Sequence, residues 1–478
     1  MSAILNRYPK YKESGIAWLG EVPEHWACKK LRSVAKSSNT RGRQDLPLLS
    51  VVREKGVTKR NTLDREENHN YIPDDLSNYK VVREGQLAMN KMKAWQGSYG
   101  ISKYDGIVSP AYFVFDINGV EKRFFSIAIR SKAYIPFFTQ ASDGIRVGQW
   151  DLSLDRMKEI PFTIPPPEEQ LSIARFLDHK TALIDRYIRQ KKRMIALLEE
   201  QKRVIIDEAV TGKIDVRTGK PYPKYKDSGV EWLGMVPEGW AITPLARLII
   251  KIDQGWSPSA SEGPLQSGQW AVCSLSAIKH GKFDPEAIKP IPSLLYDLSR
   301  IELHDNDFLL TRANTRNLVG DVCIVANVRP KSIISDLIYR FQLDKTAVFS
   351  GFLLFQMLSP YGRQQIEVDA RGSSSTMPKI SQGHIKRWQV ILPGFHEQES
   401  ISKYLKRTIG RIDNTIGHNT RQIVLTSEYR SRLISEVVTG KLDVRAAAAD
   451  LLDFEATIDD APDEALDEDE AELEEAEE

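Results

Sequence analysis

The sequence predicts an α+β protein: two α/β or mainly β globules in tandem duplication, separated by two long helices that pair as an intramolecular antiparallel coiled coil. Three observations predict it. Residues 164 to 217 align without a gap to residues 392 to 445 at a constant offset of 228, so that Glu169 and Gln170 fall on Glu397 and Gln398, and Thr211-Gly212-Lys213 on Thr439-Gly440-Lys441. YPKYKESGIAWLGEVPEHWACKKL at 8 to 31 returns as YPKYKDSGVEWLGMVPEGWAITPL at 222 to 245, identical at 16 of 24 positions and offset by 214. Between these repeated frames lie two stretches, roughly 28 to 160 and 242 to 388, in which similarity fades and the second is longer by 14 residues.

The first segment, residues 1 to 165, holds the leading box at 8 to 31 and the first insert. Short apolar runs punctuated by Gly, Asn and Pro, without a long helical period, mark a globule rich in strands. The helix at 166 to 213 follows, opened by the prolines at 165 to 167 and closed by Gly212. Alternating three- and four-residue steps give it a seam of Leu177, Thr181, Ile184, Ile188, Lys191, Ile195, Leu198, Lys202, Ile205 and Ala209. Residues 214 to 241 form a linker with the repeated box, and 242 to 393 the second globule. The helix at 394 to 441 repeats the seam as Leu405, Ile409, Ile412, Ile416, Asn419, Ile423, Thr426, Arg430, Leu433 and Val437. Each helix of about 40 residues would be roughly 60 Å long, and a lone helix of that length leaves its seam wet. The economical partner is the other copy. Lys191 and Asn419 are then either register setters at a cost in stability or solvated defects in the seam.

Net charge is +1, but residues 446 to 478 carry 16 acidic side chains and no Lys or Arg, leaving residues 1 to 445 with 66 basic against 49 acidic groups. A body of about +17 favours a polyanion, nucleic acid first. The tail reads as a disordered, self-repelling extension or, more sharply, as a competitor of nucleic acid for the basic body. No apolar run approaches 18 residues and the first residues lack the core of a signal peptide, so a soluble cytoplasmic chain is expected. Cys28, Cys273 and Cys323 have no CxxC spacing, and the eight histidines form no HxxxH or HExxH pair, so neither a disulfide framework nor a metal site is expected. No NPPY or DPPY tetrapeptide, glycine-rich methyl-donor loop or GxxxxGK is present, and the Glu200-Gln201-Lys202 triplet below Asp185 fits charge pairing on a helix surface. We expect no catalytic residue.

Nucleic-acid contacts are expected from the polar loops. In the first insert Arg41, Arg43, Asn90, Lys91, Lys93, Trp95 and Gln96 combine phosphate-binding cations with groups able to read base edges, Trp95 fitting either the core or a sugar or base. REGQLAMNKMKAW at 83 to 95 resembles LHDNDFLLTRANT at 303 to 315, which sets Lys91 opposite Arg312. The second insert offers Arg312, Asn314, Thr315, Arg316 and Asn317, and, after Arg371, the small-residue loop Ser373, Ser374, Ser375 and Thr376. DGIRVGQWDLS at 143 to 153 lies opposite RGSSSTMPKIS at 371 to 381, and the pairs Gly148-Gln149 and Gln254-Gly255 are weaker candidates.

Two divergent globules, each preceded by a YPKYKxSGxxWLGxVPExW box and followed by a helix ending in TGKxDVR, resemble the DNA specificity subunit of type I restriction-modification enzymes over residues 8 to 445. The resemblance implies that each globule is a target-recognition domain reading one half of an asymmetric, bipartite target across an unread spacer. It implies two modification subunits that methylate adenine and restriction subunits that translocate and cleave. S-adenosylmethionine, ATP and magnesium would then reside on those partners, with no cofactor on this chain. The rival reading, a coiled-coil scaffold without DNA specificity, accounts for the helices but not for two basic globules in a duplicated frame.

Overall fold

In a computed structural model, residues 5–53, 55–60, 73, 75–144, 150–230, 233–257, 264–291, 298–370, 377–449 and 451 are described. Helix α1 runs over Pro167–Val210 and helix α2 over Phe395–Val438, 44 residues each. Both stop where the sequence supplies a left-handed position, at Gly212 (φ +75°) and Gly440 (φ +75°), which a side chain resists.

The chain divides into two compact units that do not follow the linear segments. One contains residues 1–190 and 422–478, the other 191–421, so each takes half of each helix. In the first unit the two helix halves run antiparallel, with Asp185 paired to Arg430 at 3.2 Å and Leu177, Leu433 and Val437 in one core. In the second unit Lys202 pairs with Asp413 at 2.8 Å, while Ile206 and Ala209 pack with Ile401, Leu405 and Ile409. The offset of 228 carries Asp185 to Asp413 and Lys202 to Arg430, so one interhelical ion pair occurs twice. Lys191 Nζ donates to Asn419 Oδ1 at 3.0 Å, giving these two seam positions each other as partners.

The repeated box folds onto the helix ends. In the first unit the Glu169 carboxylate, 4% exposed, accepts from Tyr8 Oη (2.6 Å), Trp26 Nε1 (2.9 Å) and His25 Nε2 (2.7 Å). A buried carboxylate is tolerable only when so satisfied. Gln170 accepts from the Glu121 amide and donates to the Pro165 carbonyl. The second unit repeats the arrangement with Glu397 accepting from Tyr222 Oη (2.8 Å) and Trp240 Nε1 (3.2 Å), and with Gln398 between the Phe349 amide and the Pro393 carbonyl. Gly440 lies against Pro23 and Trp26, whereas Gly212 lies against Pro237 and Trp240. The first box therefore holds the end of α2, and the second box the end of α1. Past α2, Asp443 bridges to Asn6, and a short helix at Arg445–Ala449 buries Ala448 in the first core. The start of the acidic segment is thus helical and anchored; from 452 onward it lies outside the described residues.

Each globule is built on a four-stranded antiparallel sheet. In the first unit the strands are β1 (Ala35–Ser38), β2 (Leu87–Asn90), β3 (Tyr99–Ile101) and β4 (Tyr112–Ile117), in the order β1-β4-β2-β3. In the second they are β5 (Ile249–Gln254), β6 (Phe308–Thr311), β7 (Val322–Ile324) and β8 (Ile338–Leu343), in the order β5-β8-β6-β7. Short helices such as Lys122–Ile129 and Ser350–Leu358 cover the sheets, a mixed α/β content. β2 reads LAMN and β6 FLLT with nearly every residue buried, the short continuous apolar runs that read as strands in the sequence.

Candidate functional site

The two strands matched in the sequence, β2 and β6, hold the same place in their sheets, and the basic residue that follows each is clamped alike. The Lys91 amide donates to Ala111 O (3.2 Å) and its carbonyl accepts from the Leu152 amide (2.9 Å). The Arg312 amide donates to Leu337 O (2.8 Å) and its carbonyl accepts from the Ile380 amide (2.8 Å). Leu152 and Ile380 correspond at the offset of 228 and belong to the glycine-bearing stretches 143 to 153 and 371 to 381. In each unit, then, the fold brings the basic turn beside the last arm of that stretch.

In the first unit Lys91 Nζ meets Asp151 Oδ2 at 2.6 Å, both side chains well exposed. Asn90 caps the turn by accepting from the Met92 amide (3.0 Å), and exposed Lys93 accepts through its carbonyl from the amides of Gln96 and Ser98. Gln96 is half-buried. Trp95 is half-buried too, donating to Met92 O (3.1 Å) with its ring 5.2 Å from that of Trp150. It packs at the surface rather than filling the core. Arg41 is exposed and bridges the backbone of Lys80. Arg43 is tied by two bonds (2.7 and 2.6 Å) to Asp45, a pair that neutralises it locally.

Lys80 was not evident in the sequence. Its ammonium donates to Tyr112 O (2.6 Å), and Tyr112 is the register partner of Asn90. Burial, and then the charge of Arg41, hold its pKa below the usual lysine value. Arg41 and Lys80 are thus neighbours in the backbone pairing, and Lys80 reaches the strand residue paired with Asn90, which precedes Lys91.

In the second unit the Arg312 guanidinium lies 5.9 Å from the Tyr339 ring centroid and 3.4 Å from Asp336 O. Gln254, at the end of β5, donates to the same carbonyl (3.2 Å), and Ser257 Oγ donates to the Asp336 carboxylate. This draws in Gln254-Gly255, while Gly148-Gln149 lies outside the described residues. Asn314 is 8% exposed and accepts from the Thr315 amide (2.8 Å), so it shapes the turn and does not present its amide outward. Thr315, Arg316 and Asn317 are exposed on that turn. Arg371, Ser373, Ser374, Ser375 and Thr376 lie outside the described residues. Lys379, exposed and bridged to Ala313, stands where Asp151 stands in the first unit. The offset of 228 alone could have exposed this reversal of charge.

Among the described residues no group of three or more His, Cys, Asp or Glu is placed to hold a metal ion, and no helix is long and apolar enough to cross a membrane. Burial pushes the thiols of Cys273 and Cys323 well above their ordinary range, Cys273 to about 12, the opposite of what a thiolate nucleophile requires. The chemistry these surfaces support is recognition of an extended anion by cations and amides.

No family model matches the chain. It is 27% identical over 201 residues to the type I restriction enzyme EcoEI specificity subunit of Escherichia coli, a match covering 42% of this chain and 33% of that protein. Against the putative type I restriction enzyme MjaX specificity subunit of Methanocaldococcus jannaschii it is 22% identical over 458 residues, 91% of this chain and 98% of that one. A chain solved in work on complex assembly and conformational transition of the type I R-M system shares the fold, with a TM-score of 0.60 at 16% identity over 88% of this chain and 99% of that chain.

Proposed function

We propose that this chain, which belongs with the specificity subunits of type I restriction enzymes, is the non-catalytic reader of an asymmetric, bipartite DNA target. The observation that carries the reading is the doubled placement of a clamped basic residue, Lys91 and Arg312, at the same end of two equivalent sheets on globules that otherwise share little sequence. Duplicated frames preserve how the globule is held; divergent loops change what it meets. Cations on these loops supply phosphate attraction and position the protein, while neighbouring amides and carboxylates meet base edges. A coiled-coil scaffold without DNA specificity would have no use for this pairing.

In this reading residues 1–165 and 242–393 are the two target-recognition domains, and residues 166–213 and 394–441 the helices that set the spacer between half-sites. Two modification subunits dock on the repeated frame and methylate adenine with S-adenosylmethionine. Restriction subunits add ATP- and magnesium-dependent translocation and cleavage, and the assembly works in the cytoplasm.

The test is an exchange. Residues 28 to 160 are replaced by the corresponding insert of a related chain, and methylated adenines are mapped in cells that carry the intact system. One half-site changes while the other and the spacer stay as they were. Simultaneous change of both halves would show that the globules do not read independently.

A further inference from the structure

The equivalent sheets end in turns of different charge. In the first unit Lys91 is neutralised by Asp151 at 2.6 Å; in the second, the positions of Lys91 and Asp151 are taken by Arg312 and Lys379. The described partners of Arg312 are the Asp336 carbonyl and the Tyr339 ring. A carboxylate on a face that must approach phosphates works against affinity. Nor does it hold the fold, since an ion pair whose members are 39% and 52% exposed contributes about 0–1 kcal/mol. The backbone of this arm is already fixed by the Leu152 amide on Lys91 O, as Ile380 is fixed on Arg312 O without any carboxylate at the corresponding position.

We infer that Asp151 is a specificity-determining residue of the first globule, accepting a hydrogen bond from the exocyclic amino group of a cytosine or adenine in the major groove. This rests on the recognition reading given above. The major-groove edge of cytosine offers an amino donor, and that of adenine a donor beside an acceptor, whereas guanine offers two acceptors and thymine an acceptor and a methyl group. A carboxylate is acceptor-only and therefore favours the first two bases and repels the others. Lys91 holds the free carboxylate in place at 2.6 Å and turns to a neighbouring phosphate when DNA arrives. The second globule, with Arg312 stacked near Tyr339 and Lys379 beside it, lacks this acceptor, so its half-site is read by a different rule.

The experiment uses the complex of the full chain with its modification subunits and duplex oligonucleotides carrying the mapped bipartite site, each base pair substituted singly. The wild-type complex rejects substitution at one cytosine or adenine of the first half-site by roughly 10- to 100-fold. Asp151→Ala cuts that rejection to below about threefold, weakening the cognate duplex while the substituted duplexes bind as well or better, and leaves discrimination at the second half-site untouched, which also shows that the variant is folded. Lys91→Met weakens all duplexes alike and keeps the discrimination. Full retention of discrimination by Asp151→Ala, or a uniform loss of binding, overturns the assignment of Asp151. A wild-type complex with no preference in either half-site overturns the recognition reading itself, and this inference with it.

Discussion

Removing the carboxylate of Glu169 should loosen the first unit more than removing Glu397 loosens the second. Glu169→Ala strands the Tyr8 hydroxyl and the Trp26 indole N–H, in residues 3% and 0% exposed, each at about 1–3 kcal/mol for a buried group left unsatisfied. His25 adds little, because its side chain is 40% exposed and turns to water. Together the loss is about 2–6 kcal/mol. Around Glu397 the carboxylate is 18% exposed, the indole bond is at 3.2 Å, Tyr222 is only half-buried, and the third partner, Arg217 at 3.2 Å, is 55% exposed and adds little, so Glu397→Ala should cost about half as much. Unfolding of the whole chain need not be a single transition, so native-state hydrogen exchange is the suitable assay. The reporters are the amides of Trp26, bonded to Pro23 O, and Trp240, bonded to Pro237 O. A loss of about 3 kcal/mol accelerates exchange at Trp26 about a hundredfold, and half that loss accelerates Trp240 about tenfold. Equal acceleration at the two sites would refute the argument that burial, and not the shared motif, sets the strength of the latch.

The second latch has room for improvement: Gly239 stands where the first has His25, a Cβ there meets nothing within 4 Å, and a cleft of about 300 Å³ lies beside Glu397. Gly239→His should add one bond, about 1 kcal/mol, and slow exchange at the Trp240 amide about fivefold; unchanged exchange would mean that the imidazole stays in water. Burial raises the pKa of Asp413, but the ammonium groups of Lys202 and Lys282 outweigh it and hold the carboxyl below its ordinary value. Its contribution is therefore present above about pH 4 and is lost as the pH falls through the depressed folded value. Asp413→Asn should flatten that acid loss in a urea titration of the chain, and an undiminished loss would assign it to other carboxylates. Inserting four helix-forming residues between Gln190 and Lys191 adds about 6 Å, worth one or two base pairs at about 3.4 Å each. The mapped spacer should grow by that amount with both half-sites unchanged, and retained activity with the old spacer would mean that these helices do not set the distance.

The two helices were legible in the sequence because their signal is local: a seam at regular spacing, prolines before and glycine after. So was the equivalence of Lys91 and Arg312, carried by a faint strand match that the sheets reproduce. The latch was written in the sequence without being readable. Tyr8 and Trp26 recur as Tyr222 and Trp240, and Glu169 recurs as Glu397, yet nothing in a linear text says that residues some 160 positions apart share a hydrogen bond. Segment boundaries drawn along the chain also gave no sign that the first box binds the end of the second helix. Arg43 looked available until Asp45 claimed it, a pairing visible in RGRQD. Lys80 and Asp151 went unnoticed because their contacts arise from sheet register and from a pairing across the turn, neither of which has a sequence period.

That the first box closes on the end of α2 also bears on synthesis. The second unit is one continuous stretch and can complete itself as it leaves the ribosome. The first cannot: Leu433, Val437, Val444 and Ala448 belong to its core and are among the last described residues to be made. At roughly 5–20 residues per second, the apolar side of the early helix and the face of Trp26 wait several tens of seconds for their partners. During that interval a nascent chain carries a half-built hydrophobic surface. Mutations that slow translation of the second half should therefore harm the yield of the first globule, the part already made.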